Sequence, residues 1–220
     1  MKILITGASS GIGMALAQRL NHEGHYIYLS GRNAKQLHHV QSLMRPNSSQ
    51  VLVADLSSMK QVWKLAEQVY ASTDTLDCLV NNAGIIALKR EDSEDGFELT
   101  FAVNYLAPFL LSNLLAPILQ KGSSGQIINV SSIAHYFGSL YQDDLQLQKS
   151  YSVFKSYAQS KLASVIFTVE MANRFESDKL RINALHPGIV NTQLGSKHST
   201  GMTSWIWDTY TKRFGISPSA

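Results

Sequence analysis

One cysteine, Cys78, stands in the whole chain of 220 residues. A lone cysteine excludes an internal disulfide framework and any multi-cysteine metal centre, and it fits a reducing compartment. Charge is equally sparse. Charged side chains make up 16% of the sequence, the formal net charge is +3, and no block of Lys and Arg marks a nucleic-acid or anionic-membrane surface. Long hydrophobic runs are missing too. The most apolar stretch, Leu106 to Leu119, is shorter than a bilayer requires and is interrupted by Ser112, Asn113 and two prolines, so it reads as a buried helix. The opening MKILITGASSGIG has one lysine before its apolar run and no small-residue cleavage site after a longer one, unlike a secretory signal. These absences leave a soluble, cytoplasmic globular protein with neither nucleic-acid nor membrane partners. The histidines do not cluster with other ligand types, so no catalytic metal is expected; His135 and His186 read as packed side chains.

What is present is alternation. Short aliphatic runs (KILIT, HYIYLSG, QVLVADL, LDCLVNN, GQIINVSS, LRINALHPG) alternate with segments of helix length. Six strands apolar on both faces predict a parallel sheet covered by helices, a single doubly wound α/β domain over residues 1–220. Asn33 and Ser57 or Ser58 are helix N-caps by type. Ser93 is another, with Glu94 and Asp95 in the first turn of a long helix to Leu119. A further helix is expected from about Ser152 to Phe175.

The first strand ends in Thr6-Gly7-Ala8-Ser9-Ser10-Gly11-Ile12-Gly13. Glycines there permit a tight turn and close approach of a pyrophosphate, and the helix that follows offers unpaired N–H groups to the phosphates. At the end of the second strand Leu29-Ser30-Gly31-Arg32-Asn33 carries arginine and no acid. That favours NADP(H) over NAD(H), because an acid would bind a free ribose 2′-hydroxyl and arginine a 2′-phosphate.

The stretch YSVFKSYAQSK holds two tyrosines, Tyr151 and Tyr157, each four residues before a lysine, Lys155 and Lys161. A tyrosine titrating near 10 needs a neighbouring cation to work near neutrality, and either pair has the spacing. On a helix the two pairs are rotated by about 120°, so both cannot face one nicotinamide; the geometry alone leaves the choice open.

The ordered set TGxxxGxG, NNAG at Asn81 to Gly84, Asn104, VSS ending at Ser132, YxxSK at Tyr157 to Lys161 and HPGIVNT at His186 to Thr192 resembles the short-chain dehydrogenase/reductase family. DGFELTFAVNYLAPFLLSNLL and YAQSKLASVIFTVEMANRF are similar to its retinol-dehydrogenase-like branch. The resemblance covers residues 2 to about 194. It implies Asn104, Ser132, Tyr157 and Lys161 as the catalytic set: Tyr157 as acid/base, Lys161 as the cation that lowers it and binds ribose, Ser132 holding the substrate carbonyl, and Asn104 supporting a proton-relaying water. Ser131 is expected to be packed or bonded to backbone. Tyr151 and Lys155 are left as a substrate-loop or surface aromatic and a solvated cation.

For the cofactor the resemblance implies Gly7, Ser9, Ser10, Gly11, Ile12 and Gly13 at the phosphates, and Arg32 and Asn33 at the adenosine ribose. Asp55 and Leu56 fall at the adenine, and Asn82, Ala83 and Gly84 along the backbone, with Asn81 mainly structural beside the cofactor. Tyr157 and Lys161 fall at the nicotinamide ribose, Pro187 and Gly188 form the break after the sixth strand beside the cofactor, the Val190 main chain meets the carboxamide, and the Thr192 hydroxyl reaches the carboxamide or phosphate. It implies a small carbonyl or alcohol substrate. The segment 193–214, with Met202, Trp205, Ile206, Trp207, Tyr210 and Phe214, is expected to be a lid for a lipophilic one. Assembly as homodimer or homotetramer is also implied, and a seventh strand, absent from this sequence. A protein that binds NADP(H) as a sensor or scaffold, with little turnover, is the alternative from another class; a complete Asn-Ser-Tyr-Lys set argues against it.

Overall fold

A computed structural model describes residues 1–122, 125–175 and 179–188 of the chain. Its strands are β1 (Lys2–Thr6), β2 (Tyr26–Gly31), β3 (Ser49–Val53), β4 (Cys78–Asn81), β5 (Gly125–Val130) and β6 (Leu180–Leu185). All pair in parallel, in the order β3-β2-β1-β4-β5-β6. The helices are α1 (Gly11–His22), α2 (Ala34–Ser42), α3 (Met59–Ser72), α4 (Leu99–Leu119) and α5 (Val153–Arg174). Ser132 starts a short 3-10 helix over Ile133–Phe137.

Alternation along β1 sorts the core. Ile3 and Ile5 pack with Ala17, Leu37 and Val40 on the α1–α2 face. Leu4 points the other way, into a larger cluster with Val62, Leu65, Leu111, Leu115 and Phe167 from α3, α4 and α5. The central strands β1, β2 and β4 are buried on both faces, which is why they read as nearly continuous apolar runs. Helix α4 is long and apolar enough by length and composition to cross a membrane, yet 61% of it is buried within this fold; its apolarity is spent on the core.

Strand order reverses between β1 and β4, and the crevice at their C-terminal ends is where an open parallel sheet receives a ligand. The turns after these two strands, 7–10 and 82–88, meet there.

The long helix starts later than its sequence suggests. Gly96 takes φ +80, Asp92 bridges to Glu98, and the helix begins at Leu99, where Glu98 accepts from the N–H groups of Thr100 and Phe101 at 3.0 and 2.7 Å. Glu94 and Asp95 serve another helix: the Ser58 hydroxyl donates to Glu94 and the Met59 N–H to Asp95, placing both acids at the positive end of α3. Inside α4, residues Ala102–Leu106 form a π-helical turn. Pro108 has no N–H to give the Asn104 carbonyl four residues before it, which favours a local change of register.

At the far end of the sheet Asn21, fully buried, ties three segments together. Its Nδ2 donates to Ser48 Oγ at 2.7 Å and to the carbonyls of Ser48 and His25 at 3.2 and 3.3 Å. Its Oδ1 accepts from the Arg45 N–H at 2.9 Å. Asn21→Ala should strand those partners and cost about 2–3 kcal/mol in urea denaturation, with cofactor affinity unchanged within about twofold; a loss under about 0.5 kcal/mol would contradict this role.

Candidate active site

The phosphate side is built from backbone held by a few side chains. Gly7 and Gly11 adopt φ +67 and +56, conformations that favour glycine. A Cβ on Gly13 would collide with the Gly7 carbonyl and stand 2.5 Å from Asn82 Nδ2, so α1 approaches the β1 turn as only a glycine permits. Thr6 Oγ1 accepts from the N–H groups of Asn82 and Ala83, each at 3.0 Å, and Asn82 Nδ2 donates to the carbonyls of Thr6 and Gly7 at 2.9 and 3.4 Å. Thr6 is thus a bracing residue to which sequence reasoning gave no role, although it opens the motif.

Among the described residues α1 alone of the five helices has no side-chain cap. Asn33, Ser58, Glu98 and Ser152 cap the others, whereas Ser10 makes no cap bond. The first N–H groups of α1 therefore remain as donors at the mouth of the glycine turn, the arrangement that suits a phosphate. Ser9 lies beside the end of β2, its Oγ 3.7 Å from where a Cβ on Gly31 would stand. Arg32 follows β2 in an exposed position and hydrogen-bonds no described residue. Asn33 accepts from the Gln36 N–H at 3.0 Å. Asp55 is folded onto Ser57, accepting from its N–H and hydroxyl at 3.0 and 2.8 Å, and Leu56 joins the core.

Asn81 does not lie beside the crevice by its side chain. It turns into the core, donating to Ser112 Oγ and Asn129 Oδ1 at 2.9 and 2.8 Å, and Asn129 passes the chain to Thr168 at 2.9 Å. Strand alternation sends Asn81 and Asn82 to opposite sides, and Asn82 faces the glycine turn.

On the opposite wall β5 delivers two serines. Ser131 is buried and its Oγ donates to the Lys161 carbonyl at 3.2 Å, as its expected packing role requires. Ser132 is partly exposed and faces Tyr157. The phenol of Tyr157 is pushed above its ordinary range by burial, and hydrogen bonding with the Ser132 side chain pulls part of the way back. Lys161 Nζ lies 5.7 Å from the Tyr157 ring centroid and donates to the Val130 carbonyl at 2.8 Å; burial lowers its pKa to about 8. The lysine was expected to depress the tyrosine. Here burial outweighs any such effect, and the phenol is raised.

Asn104 sits in the π-turn, buried. Its Oδ1 accepts from the Ile85 N–H at 2.8 Å and its Nδ2 donates to the Ile85 carbonyl at 3.0 Å and to Ser160 Oγ at 3.1 Å. Ser160, fully buried, donates to the Tyr157 carbonyl at 2.7 Å. A Cβ on Gly84 would stand 3.3 Å from Asn104 Oδ1 and 3.7 Å from Lys161 Nζ. The structure thus gathers Gly84, Asn104, Ser132, Tyr157 and Lys161 at one end of the crevice. The bond between Ser160 and Asn104 depends on a contact between helices that spacing alone does not reveal. Lys155 is apart from this group, donating to Ser150 Oγ at 3.0 Å.

His135 places Nδ1 2.6 Å from the Ser132 carbonyl. His186 is exposed rather than packed, and accepts from the Gly188 N–H at 3.2 Å. Pro187 and Gly188 follow β6, Gly188 with φ +79. Val190, Thr192 and the segment 193–214 lie outside the described residues. Among the described residues no three His, Cys, Asp or Glu side chains gather in a way that could hold a metal.

The sheet order, the glycine turn and the wall carrying Tyr157 and Lys161 define an open parallel α/β protein with its crevice at the point where strand order reverses. The profile of the family described as short chain dehydrogenase matches residues 1–203. The chain belongs to the short-chain dehydrogenase/reductase family. It is 38% identical to Retinol dehydrogenase 13 of Mus musculus over 205 residues, 91% of this chain and 61% of that one. It is likewise 38% identical to Retinol dehydrogenase 12 of Homo sapiens over 202 residues, 90% and 64% of the two chains. It therefore spans less than two thirds of the length of these relatives. Among solved structures it is similar to an uncharacterized protein from Mycobacterium paratuberculosis, with a TM-score of 0.77 at 30% identity over 98% of this chain and 76% of that one. An NADPH-bound carbonyl reductase from chicken fatty liver shares the fold, with a TM-score of 0.72 at 24% identity over 99% and 86% of the two chains.

The lowered pKa of Lys161 has a consequence for stability. Between about 8, its folded value, and 10.5, its ordinary one, the unfolded chain holds a proton that the folded chain does not. This group therefore makes stability rise as pH climbs through that window, and at pH 7 its buried ammonium is a cost. Lys161→Met should raise the unfolding free energy of the cofactor-free protein at pH 7, by on the order of 1–2 kcal/mol after loss of the Val130 bond, with a higher urea midpoint, and flatten the rise between pH 8 and 10.5. A lower midpoint at pH 7 with an unchanged slope would contradict this.

Proposed function

We propose that this chain is an NADP(H)-dependent oxidoreductase that interconverts a carbonyl and an alcohol on a small lipophilic substrate, with Tyr157 as acid/base. The observation that carries the reading is the placement of buried Lys161, its Nζ 5.7 Å from the Tyr157 ring centroid, on a helix to which Asn104 is tied through Ser160. The names of the retinol dehydrogenase relatives support the reaction class.

The glycine turn, with the free N–H groups of α1, would hold the pyrophosphate, and Arg32 the 2′-phosphate. When bound, the nicotinamide cofactor supplies the hydride for reduction or accepts it in oxidation. Ser132 Oγ holds the substrate oxygen against the phenol. Tyr157, whose phenol burial raises above its ordinary range, gives its proton to that oxygen as it gains negative charge. Lys161 releases a proton more readily than an ordinary lysine and serves to restore the phenol. The Asn104 side chain is fully engaged by Ile85 and Ser160, so a relaying water would rest on its main-chain carbonyl, which Pro108 cannot bond.

The lipophilic preference is supported by Ile133, Tyr136, Phe137 and Phe154, each more than half exposed and carried by the segments that follow Ser132 and precede Tyr157. Exposed Phe109, Ile166 and Val169 on α4 and α5 suit a homodimer or homotetramer. A buried, unpaired Cys78 suits the cytoplasm.

Tyr157→Phe should reduce NADPH-dependent turnover of aldehydes, ketones or quinones about 10²–10⁴-fold with NADPH affinity intact; parental turnover in this variant refutes the mechanism. Arg32→Asp should weaken NADPH binding about tenfold or more and leave NADH binding little changed, read by cofactor fluorescence titration. Equal affinities of the parent for NADPH and NADH would refute the preference.

A further inference from the structure

Residues 84–87 leave β4 and run along the crevice with no strand beside them. Their main-chain groups must then find other partners, and side chains supply them. Asn104 takes both groups of Ile85. At Ala87, which is buried, the N–H donates to Thr100 Oγ1 at 3.3 Å and the carbonyl accepts from the Tyr151 hydroxyl at 2.6 Å. Three of these four bonds come from α4. The fourth, from Tyr151, comes from the residue before the N-cap of α5, the helix that carries Tyr157 and Lys161.

We infer that Tyr151 is a positioning residue: by holding the Ala87 carbonyl it fixes the 84–87 wall relative to the acid/base helix and so sets where a substrate rests against Tyr157. This rests on the oxidoreductase reading above. Among the described residues the other side-chain hydrogen bonds to this wall's main chain come from α4, while a Cβ on Gly84 at its inner end would stand 3.7 Å from Lys161 Nζ. Without the phenol the Ala87 carbonyl would be buried without that donor, and the outer end of the wall would be free to shift against α5. The tyrosine thus acts through a neutral O–H donor, and the proximity of Lys155 in sequence plays no part.

The test combines amide hydrogen exchange with steady-state kinetics on Tyr151→Phe, Thr100→Val and the double variant. In Tyr151→Phe, exchange at Ile85 and Ala87 should quicken about tenfold, NADPH affinity should stay within about twofold, and kcat/KM for a reactive aldehyde should fall about tenfold, mainly through KM. The losses in the double variant should be less than additive, because both side chains act on Ala87. A role limited to stability would lower the thermal midpoint and leave kcat/KM parental below it, and that result overturns the inference. So does parental exchange at both residues. If the parent protein itself shows no Tyr157-dependent turnover, the oxidoreductase reading fails, and exchange alone then decides whether Tyr151 holds the wall.

Discussion

The first turn of α1 lies against the backbone of the turn that leads into it, and the cofactor side of the crevice depends on that contact. Gly13 stands where any side chain would meet Gly7 and Asn82. Asn82 and Thr6 then lock the turn after β4 to the turn after β1. With the two strand ends held at this distance, the N–H groups of α1 converge on one spot with no cap to occupy them. Moving the helix outward would loosen the brace and disperse the donors together, so packing and binding are here a single constraint.

The two sides of the crevice are made differently. The phosphate side presents backbone, and its side chains work mostly to hold that backbone. The chemical side presents side chains, and its backbone is fastened behind them: Ser131 to the Lys161 carbonyl, Ser160 to the Tyr157 carbonyl, Asn104 to both groups of Ile85. Most of these are buried polar groups with partners, which makes them costly to disturb and resistant to drift. Lys161 is the expensive member. Its ammonium is buried with one carbonyl acceptor, a state that a protein selected for stability alone would not retain.

Much of the architecture was legible from pattern. Doubly apolar strands alternating with helices led directly to the parallel sheet, and the glycine spacing to the turn after β1. The cap Asn33 and the choice of Ser57 or Ser58 were readable because a short polar residue before a periodic segment has a local reason to be there. Ser93 failed as a cap since Gly96 breaks the chain after it, and Glu94 and Asp95 were claimed by α3, a partner 36 residues away. Tertiary demands of that kind leave no local mark. Likewise Asn81 and Asn82 are indistinguishable in sequence, and only the pleat separates a core amide from a turn brace. Tyr151 and Tyr157 share a spacing, and their difference lies in which neighbour each hydroxyl meets.

The π-turn of α4 gives the helix two phases. Before it, Thr100 faces Ala87; within it, Asn104 faces Ile85; after it, Leu111 and Leu115 face the sheet. One extra residue in the turn rotates the two halves by about 100° relative to each other, so that each half can be aimed without compromising the other. Deleting a single residue between Ala102 and Leu106 would restore an ordinary helix and force a choice. Either the core half keeps its packing and the wall loses its amide clamp, or the clamp survives and the leucines are turned out of the core. The helix works as a joint between two otherwise incompatible registers.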